Sequence, residues 1–285
     1  MSESEQKIMN PGRKLFFGLF IFPLIIAVGM TVLLCAVVLM TSEKETPESL
    51  VGAIKSGSPS KRWQKAFELS NELNQKNASG IRDSALRTEI IYIATDSRDY
   101  DAKTRSYMAM ALGRFSGPEP VAALRSLLKE DSPEIQIASM WSLGSMNARE
   151  AAPDVEIFLK SDQPELRKTA VYIMGVLGAK ETAVKLKPLL NDASADVRWN
   201  AALALARLGD DSGFPVLKEM VNRSIYEPLG MDETQIEPVM INAIRGLALI
   251  QKPESIKILE SLAGGDKNMK VRQAAIDAVN YRKNN

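Results

Sequence analysis

The chain has 285 residues, 45% hydrophobic and 25% charged, a balance typical of folded rather than disordered protein. Lys and Arg total 36 against 35 Asp and Glu, so the net charge of +1 argues against a basic nucleic-acid binder. The chain has no histidine, which excludes Ser-His-Asp and Cys-His catalysis and any His-ligated metal; the single cysteine, Cys35, excludes an internal disulfide or a thiolate zinc cluster.

Residues 15–40, LFFGLFIFPLIIAVGMTVLLCAVVLM, carry no charge over 26 positions. About 20 apolar residues cross a bilayer as a helix, so the run predicts a transmembrane helix, with Pro23 tolerated inside it. A cleaved signal peptide would have a shorter apolar core and small residues before the cut, and a lipoprotein a small residue where Leu34 precedes Cys35. An uncleaved signal anchor remains. Lys7, Arg13 and Lys14 precede the segment; Lys44 and Lys55 follow it, among Glu43, Glu45 and Glu48. The excess of Lys and Arg favours a cytoplasmic tail over 1–14, with the rest in a periplasm or its equivalent. Residues 41–47 read as a polar stem, and 48–285 as the folded domain.

That domain is internally repetitive, which is its strongest signal. DYDAKTRSYMAMALGRF from Asp99, DSPEIQIASMWSLGSM from Asp131, SDQPELRKTAVYIMGVLG from Ser161 and NDASADVRWNAALALARLG from Asn191 share one pattern. An anchor slot recurs at Arg105, Gln136, Arg167 and Arg198, each 31 residues from the last, and continues at Met240 and Arg272; Arg62 begins an earlier copy. Three residues past the anchor comes a small residue (Ser139, Ala170, Ala201, Ala243, Ala275). Seven past it comes an apolar one (Leu69, Leu112, Leu143, Met174, Leu205, Leu247, Val279). These spacings put both slots on one helix face. A second apolar helix follows each anchor helix, several with a proline at the start, and nothing alternates as a strand would. The prediction is all-α: a solenoid of about six to seven helical pairs after one transmembrane helix.

The pattern D-x-x-x-(V/L)-R-x-x-A-A-x-A-L-G resembles HEAT repeats, specifically the short HEAT-like repeats first named for phycobilisome lyases, over roughly 48–282. The resemblance implies the armadillo-like solenoid fold and leaves function open, because the repeat serves many unrelated roles. Deoxyhypusine hydroxylases, which use similar repeats, hold iron with His-Glu pairs that cannot be built here. Nothing beyond the repeat supports the bilin lyases. The expectation is a non-enzyme without a cofactor or metal.

Three groups of residues stand out. Asp99, Arg105, Asp131, Asp162, Arg167, Asp192, Arg198, Asp266 and Arg272 recur with the repeat and read as a structural ladder: acids capping helix starts, arginines binding a neighbouring repeat's carboxylate. The slots one and five past the anchor are unusually apolar, and all three tryptophans fall in them. Trp63, Phe67, Trp141, Tyr172, Trp199 and Leu203 form a stripe that either docks a partner or packs as core against the next helix. Between Arg198 and Met240 the spacing rises to 42, through NRSIYEPLGMDETQIE. This insertion, with Tyr226, Met231 and Asp232, is either a binding edge or a neutral loop expansion. Beyond residue 40 the chain carries 33 basic and 33 acidic residues, so no pull towards nucleic acid or anionic lipid is evident. The expected role is a membrane-anchored scaffold or adaptor holding a protein partner near the membrane surface. The alternative is an accessory or regulatory subunit of a membrane complex or enzyme, such as a transporter, with the solenoid in the cytoplasm.

Overall fold

The computed structural model describes residues 16–41, 46–75, 83–178 and 180–284. The chain divides into two units, Met1–Thr46 and Pro47–Asn285. The tail expected over 1–14, with Lys7, Arg13 and Lys14, lies outside the described residues, as do Glu43, Lys44 and Glu45 of the stem.

In the first unit a π-helical turn, Phe17–Ile21, leads into α1, Phe22–Thr41. Pro23 sits at the junction, where its missing N–H removes one rung of the helical ladder and a wider turn accommodates the gap. Gly18–Val37 is the one stretch among the described residues long and apolar enough to cross a membrane. None of its described side chains is buried. The Thr31 hydroxyl donates to the Ala27 carbonyl at 2.8 Å, so the polar atom near mid-helix is satisfied within the helix.

The second unit is a stack of helical hairpins with no strand among the described residues. Seven anchor helices form one layer: α3 (Pro59–Gln75), α5 (Ala102–Leu112), α7 (Pro133–Ser145), α9 (Pro164–Leu177), α11 (Ala195–Arg207), α13 (Glu233–Leu249) and α15 (Met269–Asn284). The other layer holds α2 (Pro47–Ser56), α4 (Ser84–Thr95), α6 (Pro118–Leu127), α8 (Ala152–Glu156), α10 (Ala183–Leu186), α12 (Phe214–Met220) and α14 (Pro253–Gly265). The apolar stretch EIIYIA makes up the second half of α4. Of the two helices of the other layer that flank it, an anchor helix packs more closely on the one before it, as α3 does on α2, α5 on α4 and α13 on α12. The repeat is therefore phased one helix earlier than its sequence pattern suggests.

Core slots follow the predicted periodicity. The residues seven past each anchor, from Leu69 to Val279, are all buried. So are those four past it, Ala66, Ala109, Met140, Val171, Ala202 and Ile244; the exception is Ile276 in α15, 40% exposed because no described helix packs beyond it. Two core clusters result. One runs from α2 to α11; the other takes in α11 to α15. Helix α11 belongs to both, giving Val197, Ala201 and Leu205 to the first, and Trp199, Ala202 and Ala206 to the second.

The anchor layer is the more tightly packed of the two. A Cβ added at Gly175 would stand 2.7 Å from Ala204 Cβ and 2.9 Å from its Cα, so α9 and α11 touch nearly backbone to backbone. At Gly144 the same atom would meet Ile173 Cδ1 at 2.6 Å. A two-layer stack bends towards its closer-spaced layer, so the free face of the anchor helices is the inner one. Gly175→Val, which drives a branched side chain into the Ala204 backbone, is expected to destabilise the chain by about 2–3 kcal/mol. Gly52→Ala on the open face of α2, where nothing lies within 4 Å, should stabilise it by about 0.5–1 kcal/mol. Urea denaturation of the full-length chain in mild detergent, followed by circular dichroism, measures both.

Candidate partner-binding face

The recurrent arginines act first on their own loops. Arg167 Nη1 donates to the Ser161 carbonyl at 2.7 Å, Arg198 Nη1 to that of Asp192 at 2.8 Å, and Arg272 Nη1 to that of Asp266 at 2.6 Å. Gln136 does the same at the Glu130 carbonyl. Each spacing is six residues, so the anchor side chain closes the loop that enters its helix and satisfies carbonyls the preceding helix leaves free. The ladder between repeats is built at two anchors. Arg167 holds Asp192 through two 2.8 Å bonds, and the buried Arg105 pairs with Glu130 while donating to the Ala94 carbonyl at 2.9 Å. Arg167, with the backbone N–H of Ser194, holds the Asp192 carboxyl below its ordinary value against the effect of burial.

Asp99, Asp131 and Asp162 depart from the expected capping role, since among the described residues their carboxylates meet no hydrogen-bond or ion-pair partner. Helix α5 is capped two residues later, by Asp101 at the Thr104 N–H (2.9 Å), while α7 and α9 begin at Ser132 and Gln163 without a side-chain cap. Proline in the first turn of α7 and α9 reduces the number of free N–H groups there.

The apolar slots divide by position. Five past the anchor, Phe67, Met110 and Trp141 are 45%, 42% and 45% exposed, and Tyr172 and Leu203 are half-buried. Met110 was absent from the expected stripe, although it occupies the same slot and completes an unbroken row across α3, α5, α7, α9 and α11. The aromatic members are held in place from the side. Phe67 lies edge-on to Tyr107 with centroids 5.3 Å apart, and Trp141 leans on Tyr172 at 4.8 Å. The Arg207 guanidinium covers the Tyr172 ring at 5.1 Å, and Lys103 Nζ sits 3.5 Å above the half-buried Trp63. In α13 and α15 the slot turns charged, with Arg245 and Asp277, beside a groove of about 440 Å³ also lined by Leu249 and Tyr281.

Trp199 does not belong to this surface. It is 7% exposed and faces the insertion, where the fully buried Tyr226 meets it edge-on at 6.1 Å. At Tyr226 the insertion is folded into the core rather than left as an open loop. Tyr226 donates its hydroxyl to the Met220 carbonyl, and burial raises its phenol above the ordinary value. Met231 packs half-buried against the second core, and Asp232 forms a capping box with Gln235 at the start of α13. Arg223 is the insertion's fastener. It bridges Asp266 at 2.7 Å and Glu233 at 2.9 Å, tying the loop to the turn between α14 and α15. Arg223 and Asn268 pull the Glu233 carboxyl down to about 2; burial would raise that of buried Asp266, but Arg223 and the Asn268 N–H hold it below its usual range. Asp266 and Arg272 of the expected ladder thus serve this fastener and its loop.

Among the described residues no group of three or more His, Cys, Asp or Glu is placed to hold a metal. Two overlapping stretches, residues 90–163 and 155–228, match the family model of HEAT repeats. Over residues 90–228 the solenoid matches HEAT repeats, and its fold as a whole is HEAT-like. No curated protein sequence matches the chain. Among solved structures, the complex of CpcE and CpcF of phycocyanin lyase from Nostoc sp. PCC7120 is 18% identical, with a TM-score of 0.56; the match covers 86% of this chain and 96% of that one. The YibA protein of Escherichia coli is 14% identical at a TM-score of 0.52, covering 83% and 93%. At these identities the likeness is one of fold alone.

The two tryptophans separate in a stability measurement. Trp199→Ala empties a core site and is expected to destabilise by about 3–5 kcal/mol, whereas Trp141→Ser on the exposed row should change stability by less than about 1 kcal/mol. Acid should loosen the C-terminal HEAT repeats first. The Glu233 and Asp266 carboxyls titrate in the folded state below their ordinary values of 4.5 and 3.8, so the stability they add is present above pH 4–5 and lost as pH falls towards 2. Thermal melts between pH 6 and pH 2.5 should show this loss, and Arg223→Met should flatten the dependence.

Proposed function

We propose that the protein is a single-pass membrane adaptor. Its HEAT repeats hold a protein partner on the inner, anchor-helix face and carry out no catalysis themselves. The row Phe67, Met110, Trp141, Tyr172 and Leu203 carries this reading. It is continuous over five helices and exposed or half-buried, and its aromatic members are buttressed by neighbours rather than folded inward. Immobilised aromatic side chains lose little conformational freedom on binding, and exposed apolar patches of this kind mark interaction surfaces. The uncharged helix Gly18–Val37 supports the membrane anchor, and the Lys/Arg excess before it supports a cytoplasmic N-terminus with the repeat domain on the far side.

Full-length protein purified from its native membranes in mild detergent should bring down a defined complex. A Trp141→Ser/Tyr172→Ser variant, checked for folding by circular dichroism, should lose it. Retention of the same complex by the folded variant refutes the role of this face. Reporter fusions at the C-terminus, active only in one compartment, decide between the far-side and the cytoplasmic placement of the repeats.

A further inference from the structure

The two layers of the stack are held by different forces. Anchor helices meet through small apolar contacts, as Gly175 does with Ala204. Among the described residues no ion pair joins α5 to α7, α7 to α9 or α11 to α13. The outer layer is the reverse. Its neighbours approach one another far less closely, yet an ion pair spans each of the six steps between its seven helices. Lys55 of α2 reaches Glu89 of α4 at 2.8 Å, Arg87 of α4 reaches Glu119 of α6 at 3.4 Å, and Arg125 of α6 reaches Asp154 of α8 at 2.5 Å. Lys185 of α10 returns to Glu156 of α8 at 2.5 Å. Lys187, at the end of α10, meets Asp210 in the turn that leads into α12 at 2.8 Å, and Lys218 of α12 meets Glu254 of α14 at 2.6 Å. A second bridge, Lys252 to Asp211 at 2.9 Å, doubles this last step. The result is an unbroken ladder along the outer side from α2 to α14.

These rungs differ from the anchor contacts in stiffness. Each has at least one exposed side chain, from 42% at Arg125 to 56% at Glu119 and Lys218. Exposed ion pairs are individually weak and are screened by salt. Their long stems turn about several bonds, so a rung can lengthen without distorting the backbone. Close apolar packing is not screened, and it loses its contacts over a fraction of an ångström. The anchor layer is therefore the hinge line, and the outer layer is the adjustable side. Each rung pulls two outer neighbours together, so its loss lets them part. With layers about 9 Å apart, a separation of about 1 Å per step turns each repeat by about 6° and the whole stack by about 35°.

We infer that the outer ion-pair ladder sets the curvature of the stack, and that screening or neutralising it closes the inner face. With the anchor contacts unchanged, curvature rises as the outer layer spreads. Phe67, Met110, Trp141, Tyr172 and Leu203 then turn towards one another along the inner side. This goes beyond the adaptor reading, because it is a property of the stack whether or not a partner lies on that face. A change of charge on the outer layer alters the inner face without touching it.

The test uses full-length protein in nanodiscs of zwitterionic lipid. Cys35→Ser removes the single native cysteine, and Gln64→Cys in α3 and Gln273→Cys in α15 carry the dyes; both glutamines are exposed. Resonance energy transfer between the dyes reports the chord along the anchor layer. Sodium chloride raised from about 20 mM to about 1 M, where the Debye length is about 3 Å, should shorten that chord by roughly 3–5 Å. Lys55→Gln/Glu119→Gln/Arg125→Gln/Lys185→Gln cuts the four rungs from α2 to α10. It should give most of the shortening at low salt and respond weakly to more. Glu156→Lys/Lys185→Glu, which keeps its rung with the ends exchanged, should follow the uncut protein at every salt concentration. Circular dichroism checks each variant for folding. If the four-rung variant does not fold, Glu119→Gln/Lys185→Gln takes its place, with about half its shift expected. A chord that salt leaves unchanged or lengthens, a cut ladder that responds to salt as the intact one does, or an exchanged rung that behaves as a cut one overturns the inference.

Discussion

The distance of closest approach between successive anchor helices governs the rest of the molecule. Small residues at the contact, with Gly175 against Ala204 and Gly144 under Ile173, let these helices nearly touch. That contact buries the slots four and seven past each anchor, makes the anchor layer the shorter of the two, and so turns its remaining face inward. The same contact leaves no room for large side chains between neighbouring helices. The bulky residues five past the anchor stand clear of it, ranged side by side on the free face, where Trp141 and Tyr172 brace each other instead of being absorbed.

Much of this was legible in the sequence because a solenoid repeats its constraints. The 31-residue spacing located the anchors, and the three- and seven-residue offsets located the core. The phase of the hairpins was harder to read, because an anchor helix lies between two apolar helices and the pattern does not say which of them it pairs with more closely. The ladder was half legible. The arginines are where the pattern put them, but their first partners are backbone carbonyls of the entering loop, which have no sequence signature. Asp131 and Asp162 recur with the repeat, yet among the described residues their carboxylates meet no hydrogen-bond or ion-pair partner.

The face itself was legible as a slot and not as a surface. Trp141 stands five past its anchor and Trp199 one past, two apolar slots one turn apart on a helix surface, and periodicity alone treats the two slots alike. What separates them is the insertion, whose Tyr226 covers Trp199 and whose Arg223 is held by carboxylates 10 and 43 residues further along the chain. Contacts at such separation are invisible to a local pattern. The insertion's many polar residues suggested an open loop, while its few decisive side chains, one phenol and one guanidinium, close it down.

Helix α11 gives one side to each of two hydrophobic clusters. In a linear array stability passes only between neighbours, so the helix shared by two clusters is also where their cooperativity is coupled. The repeats after it carry the long-range fastening through Arg223, and those before it carry most of the exposed row. Partial unfolding that starts at the C-terminal end can thus halt at α11 with most of the row still presented, whereas fraying that starts at α3 removes it one ridge at a time. The molecule's two ends are unequal in what their loss would cost, and the seam between them is a single helix.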